Sequence, residues 1–438
     1  MLCMYVWSFI NSFNMSTKSY RGILYVFAML CGIGANAQDT LRLTLQQAEQ
    51  QFIENNLILL AEKYNIDAAK AQVLQAKLYN NPSIAVSGNA YNPENRKYPD
   101  ISNRTGQYTI DVQQLIVLAG KRNKQVQLAH TNSKLAEERF MDVLRTLRYT
   151  LRSNFYRTLY LQNSYQAYTV QIASLERLNA TYQELHTRGA VTLKDAVRIK
   201  SLLYALKAEQ TSLQNEINDV GAELQLLLQM NDRYISPVAD ENHSLFPMVS
   251  KQELQKLLDS AYTNRYDLKA AQTNIVFAEQ NYALQKALAV PDLTLGGTFD
   301  KRGAHVENAT FLNLAIDLPF FNRNQGNIRA ARIDIAQSKV LLQHQRMVVE
   351  NEVQKAYNKA LHAERVLQTI DPGFRNDFEK LLQSVTENFQ KRNISLLEFT
   401  DFYESYKDSL LQLNQLQNEM MQAIEELHLA IGKTIINN

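Results

Sequence analysis

The chain has 438 residues, 45% of them hydrophobic and 21% charged, with only 8 Pro and 14 Gly, and so few breakers point to long uninterrupted elements. The hydrophobic share excludes a disordered chain, and a mean hydropathy of -0.32 excludes a bundle of membrane-spanning helices. The formal charge is +2, and setting Lys18 and Arg21 aside leaves 44 basic residues against 44 acidic ones, so nucleic acid is not an expected partner.

Residues 1–37 read as a signal peptide. Lys18 and Arg21 precede an apolar run over 22–34, and Ala35-Asn36-Ala37 follows it, so cleavage before Gln38 is expected. Residues 1–14 carry no charge, and Met15 is the expected start. Cys3 and Cys31 both lie upstream of the cleavage point, which leaves no thiol or disulfide in the mature chain. Leu30 stands where a lipid-attachment signal needs a small residue, so Cys31 is not expected to be acylated.

The remainder reads as a duplication. Asn55, Leu59, Ala61, Asn65, Pro82 and Gly88 recur as Asn264, Leu268, Ala270, Asn274, Pro291 and Gly297 at an offset of 209. Ile110, Asp111 and Gly120 recur at 206, and Thr192, Leu193 and Asp195 return as Ser395, Leu396 and Glu398 at 203. The expected division is a first repeat over 38–231, a linker over 232–250 and a second repeat over 251–438.

In chain order, a helix of about 35 residues over 44–80 should stop before Pro82, and one over 251–289 before Pro291. There the apolar period changes from helical to two. Leu312, Leu314, Ile316 and Leu318 alternate with Phe311, Asn313, Ala315 and Asp317, as Tyr108, Ile110 and Val112 do with Thr109, Asp111 and Gln113. Partner strands are expected over Ser83 to Tyr91 and Asp292 to Phe299, across polar loops at 92–105 and 300–309. Each repeat then carries one hairpin, with Asp111 and Asp317 at equivalent positions on the polar side of their strands.

A helix without proline follows from Lys121 to His186, roughly 100 Å long at 1.5 Å per residue. Within it Tyr168, Ile172, Leu175, Leu178, Tyr182 and Leu185 step by four and three, the seam of a coiled coil. Its counterpart, Asn327 to Gln390, meets Asp371-Pro372-Gly373, where Asp371 is expected to cap a new segment with Pro372 in its first turn. The helices reverse at 188–195 and 392–398. They restart on Thr192 with Asp195 and on Ser395 with Glu398, spaced as capping boxes, and return to about Met230 and Gly432. Gly189, Ala190, Val191, Asn393 and Ile394 at the reversals are mostly small or apolar where a purely structural turn favours polar residues, which marks a contact surface.

Four strands cannot close a barrel, and an open sheet edge cannot face lipid, so oligomerisation is expected to complete the sheet. The alternative, a periplasmic coiled-coil adaptor or scaffold, leaves the amphipathic hairpins unexplained. The histidines, His130, His186, His243, His305, His344, His362 and His428, show no ligand spacing. No metal or other cofactor is expected, and no nucleophile elbow, phosphate loop or Cys/His arrangement suggests an enzyme.

Over residues 38–438 the sequence resembles the TolC-like outer-membrane efflux proteins. The likeness rests on the repeat, on Asn80-Asn81-Pro82-Ser83 and Val290-Pro291-Asp292-Leu293 before the hairpins, on the helix starts at 118–122 and 320–326, and on the two turns. Leu318 to Ile328 resembles the cobalt-zinc-cadmium branch. The resemblance implies a mainly α fold with a small β part, in which each chain of a homotrimer gives four strands to a twelve-stranded outer-membrane barrel above a periplasmic coiled-coil tunnel. It also implies a passive conduit for small substrates, heavy-metal cations among them. Its implied partners are a periplasmic membrane-fusion adaptor, an inner-membrane pump of the resistance-nodulation-division type and outer-membrane lipid. Glu398 and Asp401, three apart on one helix face, match family acids that ring the closed periplasmic aperture. Asp195 matches the first of these acids, but Arg198 stands in place of the second, so Asp195 reads mainly as a cap.

Overall fold

The computed structural model describes residues 40–102, 104–239, 248–302, 306–371 and 373–434. The expected signal peptide, its cleavage site and both cysteines lie outside them, as do Pro372, His243 and His305. The first half contains β1 (Thr40–Leu43), α1 (Leu45–Asn55), α2 (Leu57–Lys77), β2 (Ser83–Gly88), β3 (Tyr108–Ile116), α3 (Lys121–Thr187) and α4 (Leu193–Leu228). After β4 (Tyr234–Pro237) and a 3-10 turn, the second half contains α5 (Leu254–Asn264), α6 (Tyr266–Leu288), β5 (Leu293–Arg302), β6 (Glu307–Ile316), α7 (Gln325–Gln368), α8 (Phe374–Gln390) and α9 (Leu396–Ile431).

The long helix and both hairpins stand where periodicity put them, and α3 is a single helix of 67 residues. The helix expected over 44–80 is instead two helices, and so is the one over 251–289. At the first break Asn56 is extended, with φ -66° and ψ 120°. Its Oδ1 accepts the Ile58 and Leu59 amides at 3.0 and 3.1 Å, and its Nδ2 donates to the Leu227 carbonyl at 2.9 Å. At the second break Arg265 has φ -73° and ψ 120° and donates from Nη1 to the Ala430 carbonyl at 3.1 Å. Neither break carries a Pro or Gly. The unsatisfied carbonyls at the ends of α4 and α9 draw these side chains across, and Asn56 and Leu227 stand to Arg265 and Ala430 at the repeat offsets of 209 and 203.

Two smaller expectations are also corrected. The linker is partly ordered, because β4 pairs in parallel with β1 from Thr40↔Tyr234 to Leu43↔Pro237, in strands of 4 residues that are too short to show an alternation. Asp371 is not the cap of α8. Its Oδ1 accepts the Gly373 amide at 2.9 Å and its carbonyl accepts from Phe374 at 3.0 Å, so the tight turn closes first and the helix starts from Gly373.

The hairpins join in one antiparallel sheet of order β2-β3-β5-β6. Its register aligns Ser87, Thr109 and Asp300, then Ala85, Asp111, Thr298 and Phe311, then Ser83, Gln113, Gly296 and Asn313 on one face. The other face carries Val86, Ile110 and Phe299, then Ile84, Val112 and Leu312, then Leu295 and Leu314. Among the described residues the core lies mainly in the helices, in three clusters. One packs Phe52 of α1 against Leu151, Phe155 and Leu224, and its counterpart packs Leu268 against Val349, Val353 and Leu427. The third joins the coiled-coil seam Tyr168, Ile172, Leu175 and Leu178 to Ile199, Phe389, Phe399 and Tyr403. There the Phe389 ring stacks on Phe399 at 4.3 Å and on Tyr182 at 5.5 Å. Among the described residues no helix is long and apolar enough to cross a membrane.

Candidate functional site

The sheet has one greasy face and one polar face. On the first, Leu312 is 95% exposed and Ile84, Val86 and Leu314 about 70%, an arrangement that water penalises and hydrocarbon accepts. On the second, the Ser87 and Thr109 hydroxyls lie 2.5 Å apart, Thr298 hydrogen-bonds the Asp111 carboxylate, and Asn313 Nδ2 donates to Thr298 Oγ1 at 2.5 Å. Among the described residues β2 and β6 have no strand on their outer edges. A sheet with a lipid-compatible face, a hydrated face and two open edges is a segment of barrel wall.

A buried ion pair fixes this wall to the helices. Lys121, 4% exposed, reaches Asp292 at 2.7 Å, and Asp292 Oδ1 also accepts the Leu118 amide at 2.8 Å. This contact joins the first turn of α3 to the residue before β5. At the outer end of the first hairpin, hydrogen bonds from Asn95 and Ser102, with Thr105 and Asn92, hold the Asp100 carboxyl well below the usual range and tie the loop together.

The helix reversals share one geometry. The Ala190 amide donates to the Leu185 carbonyl at 2.8 Å, and the Asn393 amide donates to the Asn388 carbonyl at 2.9 Å. These six-residue closures each need a left-handed residue, which is Gly189 at φ 72° in one turn and Arg392 at φ 63° in the other. The caps differ. Ser395 Oγ accepts the Glu398 amide at 3.2 Å while Glu398 Oε2 accepts the Ser395 amide at 2.7 Å, a closed box. Thr192 Oγ1 accepts the Asp195 amide at 3.2 Å, but the Asp195 carboxylate takes the Thr192 hydroxyl at 2.8 Å. Asp is one methylene shorter than Glu and does not make the return bond to the cap amide. The Ser395 amide, and then its hydroxyl, hold the Glu398 carboxyl below its ordinary value.

Glu398 and Asp401 are exposed near the start of α9, as are Gly189, Ala190 and Asn393 at the turns. Val191 is half-buried, and Ile394 packs against the cluster containing Phe389 and Phe399, so Ile394 also serves the local core. Among the described residues no group of three His, Cys, Asp or Glu side chains is placed to hold a metal ion.

Sequence reading missed a cluster near the end of α9. Arg152 donates from Nε and Nη2 to Glu425 at 2.6 and 2.8 Å and from Nη1 to Glu49 at 3.0 Å, and His428 Nδ1 lies 3.3 Å from Glu425 Oε2. Burial works to raise the Glu425 carboxyl, but His428 and Arg152 outweigh it and hold it below its ordinary value. Tyr156, desolvated and near Glu425, is pushed up to about 12. Arg152 and Glu425 are 273 residues apart, so no local spacing announces the pair.

The model of the outer membrane efflux protein family matches residues 48–228 and 257–433. The chain belongs to that family. It is 21% identical over 400 residues to the cobalt-zinc-cadmium resistance protein CzcC of Cupriavidus metallidurans, covering 89% of this chain and 90% of that one. Its fold matches the solved structure of CusC with a TM-score of 0.70 at 16% identity, over 89% of this chain and 92% of the other. It also matches the open MtrE outer membrane channel of Neisseria gonorrhoeae, with a TM-score of 0.67 at 15% identity over 89% of each chain. The chain is an outer-membrane channel component of an efflux system, and its helices extend into the periplasm. Channels of this family are trimeric and work with periplasmic adaptors and inner-membrane pumps.

Proposed function

We propose that three copies of this chain close a twelve-stranded barrel, β6 of each pairing with β2 of the next, and form a conduit for divalent transition-metal cations. The observation that carries the closure is the sheet itself, with one greasy face and two unpaired edges. Outer-membrane lipid covers the face that holds Ile84, Val86, Leu312 and Leu314. Likeness to the cobalt-zinc-cadmium resistance protein CzcC supports metal cations as the cargo, and in this reading an inner-membrane pump of the resistance-nodulation-division type supplies the energy. The chain divides into a signal peptide over 1–37, repeats over 38–231 and 251–438, and a connector over 232–250. Equivalent side chains that reach equivalent carbonyls in the two halves support the duplication.

Glu398 and Asp401 form the periplasmic gate in this reading, three copies of each around the axis. The cap that lowers Glu398 favours its charged form, and a ring of carboxylates attracts cations. The exposed Gly189, Ala190 and Asn393, with Val191 and Ile394 beside them, form the adaptor contact, while Thr192, Asp195, Ser395 and Glu398 start the return helices. Planar-bilayer conductance of the detergent-extracted protein tests the reading. Combining Glu398→Gln with Asp401→Asn should lower cation selectivity in an intact trimer. Unchanged selectivity would remove these acids from the gate, and a monomer inserted in membrane would overturn the closure.

A further inference from the structure

A cavity of about 590 Å³ opens between α3, α4 and α9, within the size range of small-molecule sites. Its walls are fixed by bonds between the helices. Asn414 Nδ2 donates to Ser164 Oγ at 3.0 Å and the Tyr403 hydroxyl donates to the Gln171 carbonyl at 2.8 Å, so α9 runs against α3. Arg157 donates to Glu216 at 2.8 Å and the Tyr168 hydroxyl to Glu209 at 3.0 Å, so α4 runs against α3 as well. Among the described residues the wall carries three carboxylates, Glu209, Glu216 and Glu419, and one cation, Arg157. Glu209 is matched by Lys407 at 3.1 Å and Glu216 by Arg157. Glu419, exposed at the mouth, accepts from Gln415 Nε2 at 2.9 Å and forms no ion pair with a described residue.

Asn414 lies deeper in the same wall, 3% exposed. Its Nδ2 is spent on Ser164, and its Oδ1 accepts no hydrogen bond from a described residue. That oxygen keeps some surface, unlike the enclosed orphan oxygens of Gln171 and Asn179, so a ligand can reach it. A buried acceptor without a donor marks the place of a donor that the chain does not supply. Glu419 lies five residues beyond Asn414 on α9, about 7.5 Å of helical rise. Tyr160, Leu161, Leu213 and Leu411 give the wall its apolar part, and burial pushes the Tyr160 hydroxyl up to about 12, so that ring adds no charge. An unpaired carboxylate at the mouth, a free amide oxygen within and apolar side chains beside them suit a monovalent cation with an apolar body and a neutral donor at its far end. A metal ion finds no set of three ligands here, and an anion meets a wall of net negative charge.

We infer that this cavity binds one small organic amine per chain, of the hydroxylated aryl- or alkylamine class, with its ammonium against Glu419 and its hydroxyl donating to Asn414 Oδ1. Occupancy ties α3 and α4 of the first half to α9 of the second. The site lies 18 residues along α9 from Asp401, so it depends neither on the gate nor on the cargo proposed above.

Isothermal titration calorimetry of the full-length, detergent-extracted protein with tyramine at neutral pH, against detergent blanks, tests this. The expected result is saturable binding of one tyramine per chain, weakened at least tenfold by Glu419→Gln, a change at an exposed position. Tyrosol has the same shape without the charge and should bind the native protein at least tenfold more weakly. Phenethylamine keeps the charge but lacks the hydroxyl, so it should bind at least threefold more weakly than tyramine, and Asn414→Leu should erase that difference. Where Asn414→Leu fails to assemble, the comparison of the two amines on the native protein still decides. Absence of saturable binding, as would follow if a neighbouring subunit filled the cavity, would overturn the proposal. So would a Glu419→Gln variant that binds tyramine as tightly as the native protein, or a native protein that binds tyramine and phenethylamine alike.

Discussion

The junctions at Asn56 and Arg265 solve one problem with different chemistry. In both, an extended residue between two helices reaches the last carbonyls of a return helix. Asn56 does so as a neutral amide that also caps α2 through two backbone bonds. Arg265, 2% exposed, does so as a cation held by Asp267 and Glu352, with Arg145 adding a 2.6 Å bond to the Leu429 carbonyl. The neutral junction depends on fit, whereas the charged one depends on a set of ions that stay balanced only together. Backbone geometry is therefore preserved between halves while sensitivity to charge is confined to the second.

The largest expected effect follows from that contrast. Arg265→Leu leaves Asp267 partly buried without its main partner and should cost about 3–5 kcal/mol, whereas Asn56→Ala removes neutral bonds and should cost about 1–3 kcal/mol. Urea unfolding of the detergent-extracted protein measures both. Equal losses would mean that the charges at Arg265 add nothing beyond the geometry.

Neither junction was legible in the sequence, and the reason is physical. No Pro or Gly marks a break within 44–80 or 251–289, and the local cap that Asn56 gives α2 is joined by bonds to carbonyls more than 160 residues away, which no short-range pattern announces. Elements governed by short-range pattern were legible. Alternation of Leu312, Leu314 and Ile316 gave the strand, the Tyr168 to Leu185 seam gave the coiled coil, and the Thr192 and Ser395 spacings gave the caps. β1 and β4 were not, since strands of 4 residues carry too little alternation to stand out. The same division holds for the site. Glu398 and Asp401 stand out by spacing on one helix, while Arg152 and Glu425 become neighbours only through the fold.

Acid should separate the two junctions next. Asp267 and Glu425 both lie below their ordinary values, in each case against the raising effect of burial and through cationic partners. A depressed folded value means that the stabilisation is complete above the unfolded values of 3.8 and 4.5 and is lost as the pH falls through the lowered ones. Hydrogen-exchange protection, corrected for intrinsic rate, should therefore fall at the end of α9 between pH 5 and pH 3 while the end of α4, held by Asn56, changes less. A parallel decline at both ends would show that acid acts on the whole molecule.

The smallest effect concerns the turns, where the halves trade roles. The left-handed position is Gly189 in the first turn and Arg392 in the second, related by the offset of 203. A side chain at such a φ costs about 1–2 kcal/mol from contact between Cβ and the backbone, and glycine gives back about 0.5–1 kcal/mol through the freedom it gains when unfolded. Arg392→Gly should therefore stabilise the protein by about 0.5–1 kcal/mol. Gly189→Ala should destabilise it by a similar amount even though no atom lies within 4 Å of the added Cβ. Because that space is open, a loss at Gly189 isolates backbone strain from packing. Urea midpoints that move in opposite directions for the two variants would establish that the turns are one structure with exchanged residues. If Arg392→Gly instead lowers the midpoint, the guanidinium at the second turn makes a contact worth more than the strain it imposes.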